Sequence, residues 1–212
     1  MRIVDKPSPN SSPRNGAEPL ATVIHYDASI SGSGAIAWMR SPQSRVSAHF
    51  HIDRDGAVCQ LVDLARSAWH AGIGALPLPG GTAVSVNCNE HSIGIEIANV
   101  GLLQRGDDGG LWYHDSGTSI RVTGDAMHAA LVWPSGMRIE GWWAPFPLAQ
   151  IDALKGLLDD LAGRGYGKAV ANLVGHDEIA KPDGRKQDPG CTFPWEQFAR
   201  ACPRALRSEP IL

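Results

Sequence analysis

Apolar residues in this chain come mostly in short runs, and only one stretch repeats at helical spacing. Ala21 to Ile24 form an apolar run ending at His25, and a second run in ANLVGH ends at His176. Both read as buried strands. VSAHFHIDRDG reads as a strand entering a turn at Asp55-Gly56, with AVCQLVD as its hairpin partner. SIGIEIANV alternates, so Ile93, Ile95 and Ile97 share one face while Gly94, Glu96 and Ala98 share the other. From Ala149 onward, Ile151, Leu154, Leu157, Leu158 and Leu161 mark one side of a helix that Gly163 and Gly165 should end. A short helix is expected over Ala35 to Arg40 with Ser33 as cap, and another after Pro194.

Between these elements, residues 66–90 read as a long loop, and residues 102–143 as an irregular insertion holding Trp112, Trp133, Trp142 and Trp143. Pro134, and Pro145 and Pro147 beyond it, would break any long element there. Residues 1–18 are rich in Pro, Ser and Asn and read as an extended arm. Residues 204–212 read as a tail. The pattern predicts an α/β fold: a single domain over residues 19–203 with a central mixed β-sheet flanked by helices.

Composition narrows the partners. With 212 residues, 43% hydrophobic and 19% charged, the chain can bury a sizeable core. A net charge of −3 gives no general attraction to nucleic acid or to an anionic membrane, so neither is expected as a partner. No apolar stretch reaches the roughly 18 residues of a membrane span. The first residues lack the apolar segment of a secretory leader, which predicts a cytoplasmic protein or one released by lysis. Cys59, Cys88, Cys191 and Cys202 form no CxxC pair and read as free thiols. A monomer is expected.

The chemistry concentrates in LVGHDEIAKPDGRKQDPG, residues 173–190. His176 closes an apolar run and Asp188 lies in the Gly- and Pro-rich loop behind it. An imidazole and a carboxylate both suit zinc. His25, at the end of the first run, supplies a third ligand, and three ligands leave one position for water. Lys186, two residues from Asp188, puts a positive charge where an oxyanion could form. Glu96 stands between two small residues on its strand face, which reads as the floor of a groove with room for a substrate.

Taken together and in order, SPNSSPR, VIHYDAS, VSAHFHIDRDG, AWHAG, NCNEHSIGIEIAN and GHDEIAKPDGRKQDPG resemble the zinc-dependent N-acetylmuramoyl-L-alanine amidases with the peptidoglycan-recognition-protein fold, and most of all their AmpD-like members. The resemblance spans most of residues 8–101 and 144–200. It implies one catalytic Zn2+ held by His25, His176 and Asp188, with Glu96 as general base and Lys186 assisting the oxyanion. It implies cleavage of the amide between the lactyl group of N-acetylmuramic acid and L-alanine, in peptidoglycan or muropeptides. The chain departs from the family pattern twice. The loop from His176 to Asp188 is two residues longer, around Lys181-Pro182-Asp183, and residues 102–143 exceed the matching segment.

Other readings stay open beside this one. His49 and His51 form an H-x-H pair that could chelate metal. Cys191, three residues past Asp188, could serve as a thiolate ligand. Trp69 and His70 of AWHAG are expected as substrate contacts. The tryptophans of 102–143 could make a lid or sugar-stacking surface, or a small satellite core. A binding module that holds peptidoglycan without cutting it is the rival function, and the filled ligand positions favour an enzyme.

Overall fold

The structure, a computed structural model, describes residues 2–77, 82–115 and 118–198. The N-terminal segment is extended but tied down. Its strands β1 (Ile3–Asp5) and β2 (Ser11–Pro13) both pair with later parts of the chain. Between them, the buried Asn10 amide donates to the carbonyls of Met39 (3.1 Å) and Val46 (2.9 Å). Just beyond, the buried Arg14 donates to those of Leu64 (2.9 Å) and Ser92 (3.0 Å). Then come β3 (Ala21–Tyr26), α1 (Gly32–Met39), and the hairpin of β4 (Phe50–Ile52) and β5 (Val58–Gln60). Helix α1 starts earlier than expected, after Ser31, and no side chain caps it. Its first residue must be small, because a Cβ on Gly32 would lie 2.0 Å from the His51 ring.

The expected loop over residues 66–90 holds β6 (Arg66–Ala68), β7 (Ile73–Pro77), β8 (Ala83–Asn87) and the start of α2 (Cys88–His91). Each strand is only three to five residues long, too short to show a period. Then β9 (Ser92–Ile97) enters the centre of the molecule. Residues 102–143 are a correction to the sequence reading. They form β10 (Leu102–Arg105), β11 (Leu111–Asp115), β12 (Thr118–Val122), β13 (Met127–Val132) and β14 (Arg138–Trp143), an antiparallel sheet in the order β12-β11-β10-β14-β13. Pro134 sits in the β13–β14 turn and the other two prolines follow β14, so they bound strands instead of breaking them.

Helix α3 (Leu148–Leu161) runs on through a wide turn, where Gly165 takes φ 96°, into α4 (Gly167–Ala171). Strand β15 (Leu173–Gly175) and the short α5 (His176–Ile179) follow. A one-turn 3-10 helix at Trp195–Phe198 is what the described residues show of the last expected helix. Cys202 and the tail at 204–212 lie outside them.

The central sheet runs β1-β5-β4-β9-β3-β15, with β4, β9, β3 and β15 parallel and β5 antiparallel to β4, so it is mixed. Ile93, Ile95 and Ile97 point with Ile24, Phe50 and Ile52 into the main core. All five residues predicted for the apolar side of α3 are buried against them. Truncating Leu154, fully buried there, to Ala would cost about 2–5 kcal/mol. This face is closed by helix, so chemistry is left to the other one. No helix among the described residues is long and apolar enough to cross a membrane.

Candidate metal centre and its groove

Parallel pairing puts His51, Glu96 and His25 in one row across β4, β9 and β3. The row lies on the face opposite the isoleucines, near the C-terminal ends of the parallel strands, where open α/β sheets place their ligands. His25 is there because β3 alternates, with Ile24 in the core and His25 turned away from it. His176 arrives on the first residue of α5, directly after β15. Gly175 must be small for this, since a Cβ there would meet Asp177 Oδ1 at 2.2 Å and Pro189 at 2.9 Å. Asp188 is anchored by its own carbonyl, which accepts the Asp177 N–H at 2.8 Å.

Three atoms converge. Asp188 Oδ2 is 2.8 Å from His25 Nδ1 and 3.0 Å from His176 Nδ1, and the two nitrogens are 3.0 Å apart. All three side chains are buried. Both nitrogens face one oxygen and each other, so protons directed to that point would crowd. One divalent cation satisfies all three. The spacing also fits, because ligands on a tetrahedral zinc with bonds of about 2.0–2.1 Å stand roughly 3.3 Å apart. Among the described residues this is the one such group of His, Cys, Asp and Glu.

Charge follows the same logic. Burial holds the His25 ring down at about 4, helped by His176 and opposed by Asp188. Burial alone would raise Asp188, but hydrogen bonds from His176 and His25 hold it well below the usual carboxylate range. His25 is therefore held neutral and Asp188 ionised, the forms of these two groups that bind metal.

The rival ligands go elsewhere. His49 Nδ1 accepts the Gly94 N–H at 3.0 Å, and His51 Nε2 lies 2.8 Å from Asp27 Oδ2. Cys191 packs beside Trp133 and Trp143, and burial, with Asp177 adding to it, pushes its thiol up to about 12.

The three residues line a groove of about 640 Å³, together with Glu96, Lys186, Arg185, Asp27 and Tyr26. Burial, then the charges of Asp188 and Asp27, push the Glu96 carboxyl well above the usual range, against the pull of Lys186. Its Oε2 is buried with no hydrogen-bond partner among the described residues. Lys181 is turned away into an ion pair with Asp183 at 2.6 Å. The groove also has an apolar lining of Trp38, Met39, Val46 and Trp69. The Trp69 indole N–H is held by Ser12 Oγ at 3.2 Å.

The space expected beside Glu96 is partly filled. A Cβ on Gly94 would lie 2.5 Å from the His70 ring. His70 lines the groove, but both its ring nitrogens face protein, with Nδ1 3.0 Å from His25 Nε2 and Nε2 3.2 Å from Ser92 Oγ. Sequence reasoning missed Tyr26 and Asp27 as groove residues, although both directly follow His25. None of the described residues of 102–143 lines the groove. Trp133 and Trp143 are instead buried in a cluster with Ala129 and Leu131.

A profile of the family described as N-acetylmuramoyl-L-alanine amidase matches residues 15–191. The chain belongs to that family. The matched span takes in every groove residue named above. AmiD of Escherichia coli (strain K12), an N-acetylmuramoyl-L-alanine amidase, is 32% identical over 185 residues, which is 84% of this chain and 51% of AmiD. AmpD of the same organism, a 1,6-anhydro-N-acetylmuramyl-L-alanine amidase, is 31% identical over 154 residues, 73% of this chain and 57% of AmpD. The chain thus spans about half the length of these curated relatives. Among solved structures, E. coli AmiD in complex with the substrate anhydro-N-acetylmuramic acid-L-Ala-D-γ-Glu-L-Lys aligns with a TM-score of 0.58 and 31% identity, over 89% of this chain and 57% of that one. The amidase family and its fold, with a central mixed sheet and helices, thus agree with the sequence reading.

Proposed function

We propose that this chain is a zinc-dependent N-acetylmuramoyl-L-alanine amidase. It hydrolyses the amide between the lactyl group of N-acetylmuramic acid and L-alanine, in peptidoglycan or in muropeptides. The observation that carries this reading is the convergence of His25 Nδ1, His176 Nδ1 and Asp188 Oδ2 in a groove that Glu96 and Lys186 also line. The substrate bound in the AmiD structure contains a bond of this kind.

His25, His176 and Asp188 would hold the zinc. When bound, zinc supplies a Lewis acid for the scissile carbonyl and makes a water acidic at neutral pH. Glu96 takes the proton of the attacking water at its unpartnered Oε2 and returns it to the departing alanine nitrogen. A carboxyl with a raised pKa suits both halves of that exchange. Lys186, exposed at the rim, donates to the oxygen that becomes negative during attack. His70 holds the imidazole of His25 from behind.

Incubation with a muropeptide, followed by mass spectrometry, should show peptide with a free L-alanine amino terminus. Chelation should abolish the activity and zinc restore it, and Asp188→Ala should lose both metal and turnover. Glycan cleavage with the lactyl amide intact would overturn the proposal. Rates on intact sacculi and on soluble anhydro-muropeptide, measured side by side, assign the physiological substrate.

A further inference from the structure

Two parts of the chain set apart in the sequence reading, the loop before Asp188 and the segment that forms strands β10–β14, meet each other in space. We infer that the β13–β14 turn is a positioning element for the loop bearing Lys186 and Asp188, an inference that rests on the roles proposed above for those two residues. The turn is closed by its own backbone: Trp133 N–H donates to the Met137 carbonyl (2.9 Å) and Gly136 N–H to that of Trp133 (2.8 Å), with Gly136 at φ 84°. From this turn, three contacts reach the loop. Ser135 N–H donates to Asp183 Oδ2 at 3.2 Å. The Met137 sulfur covers Gly184 so closely that a Cβ there would lie 1.9 Å from it. The Trp133 indole N–H donates to the Asp177 carbonyl at 3.2 Å, and Asp177 N–H in turn donates to the Asp188 carbonyl at 2.8 Å. Beyond the turn, Trp143 lies against Gly190, and Thr192 Oγ donates to the Ala144 carbonyl at 2.8 Å.

Asp183 is the knot of this arrangement. One of its oxygens takes Ser135 N–H and the other holds Lys181 Nζ at 2.6 Å. It lies in the loop between Ile179 and Asp188. A loop with an exposed lysine has many conformations in which Lys186 misses the reacting oxygen, and fixing both flanks removes them. No residue of the turn itself lines the groove; its contact with the groove wall is that of Met137 on Gly184, which belongs to the loop, so its effect on the reaction passes through the loop.

The test uses the full zinc-loaded chain on a soluble anhydro-muropeptide, with Lys186→Met as reference. Asp183→Ala should lower kcat by about 10- to 100-fold, the scale of a reacting group displaced by about 1 Å, with KM and zinc content little changed. Asp183→Asn, which keeps an acceptor for Ser135 N–H, should restore most of that loss. Combined with Lys186→Met, Asp183→Ala should add nothing further, because it acts through that lysine. Trp133→Phe keeps the ring but removes the donor to Asp177. It should speed zinc release into a chelator and alter the visible spectrum of the cobalt-substituted protein. Additive losses in the double variant, or unchanged kcat in Asp183→Ala with unchanged metal release in Trp133→Phe, would overturn the inference. If Lys186→Met itself leaves kcat intact, the proposed role of Lys186 fails. The positioning of Asp188 is then decided by the metal release and the cobalt spectrum of Trp133→Phe.

Discussion

His25 has two ring nitrogens with different neighbours, and that difference decides what it can bind. Nδ1 faces Asp188 and His176, while Nε2 faces His70 Nδ1 at 3.0 Å. An imidazole held from behind keeps one tautomer and one orientation, and loss of such a partner typically weakens metal binding about 10- to 100-fold. His70→Ala should therefore lower zinc affinity on that scale, measured by competition with a chelator. A rise in KM with zinc affinity unchanged would return His70 to the substrate-contact role its sequence segment suggests. Glu96 should behave oppositely: Glu96→Gln should keep zinc and lose about two to four decades of kcat. Near-normal turnover would make it an ordinary strand residue. His25, His176 and Asp188 were legible in the sequence because two close apolar runs and one sits in a loop of unusual composition. The link from His25 to His70 was not, since nothing in two histidines 45 positions apart says that their rings touch.

Strand β9 shows how far alternation alone carries. It separated the isoleucines from Glu96 correctly, because period two is strict in a strand. It misjudged Gly94, whose small size accommodates the His70 ring. Gly94→Ala should therefore push His70 off His25 and weaken zinc binding as His70→Ala does, and the double variant should be no worse than either alone. If Gly94→Ala changes only KM, the space beside Glu96 belongs to substrate after all. Strands β10–β14 were illegible for another reason. Their residues Ala129, Leu131, Ile139 and Trp143 do share one side by alternation, with His128, Ala130, Glu140 and Trp142 on the other. Prolines at the edges of this pattern read as breaks inside it. Pairing across five short strands is a long-range property, and no local window of the sequence contains it.

At the scale of the whole molecule, the N-terminal segment and the central sheet are joined by a buried polar group, His49, whose protonation matters to stability. His49 is fully buried with the Arg14 guanidinium 2.8 Å from Nε2, and Gly94 N–H donates to Nδ1. A second proton would have to displace Gly94. Burial, then the Arg14 charge, lower this ring from 6.5 to about 3. The unfolded chain takes up the proton as pH falls through 6.5, and the folded chain does so only near 3. The stability from the neutral ring is thus complete above the upper value and is lost progressively on acidification between the two. The slope approaches about 1.4 kcal/mol per pH unit. Denaturant unfolding of His49→Gln beside the parent should show a shallower acid limb, and parallel curves would place the acid sensitivity elsewhere. The second sheet poses the last question. Trp133 and Trp143 are buried with Ala129 and Leu131 against Tyr26 and Cys191, and none of the described residues of 102–143 lines the groove, although Tyr113 donates to the carbonyl of Ala28, which does. Replacing residues 104–139 by a short Gly/Ser link would strip Trp143 of that packing, and each large apolar side chain re-exposed forfeits about 1.5–3 kcal/mol. The same cut removes Ser135 and Met137 from the catalytic loop. The shortened chain should melt at a lower temperature and release zinc faster, with turnover reduced on sacculi and soluble fragment alike. A shortened chain with unchanged melting and zinc release, but a changed ratio of rates on the two substrates, would make the second sheet a lid.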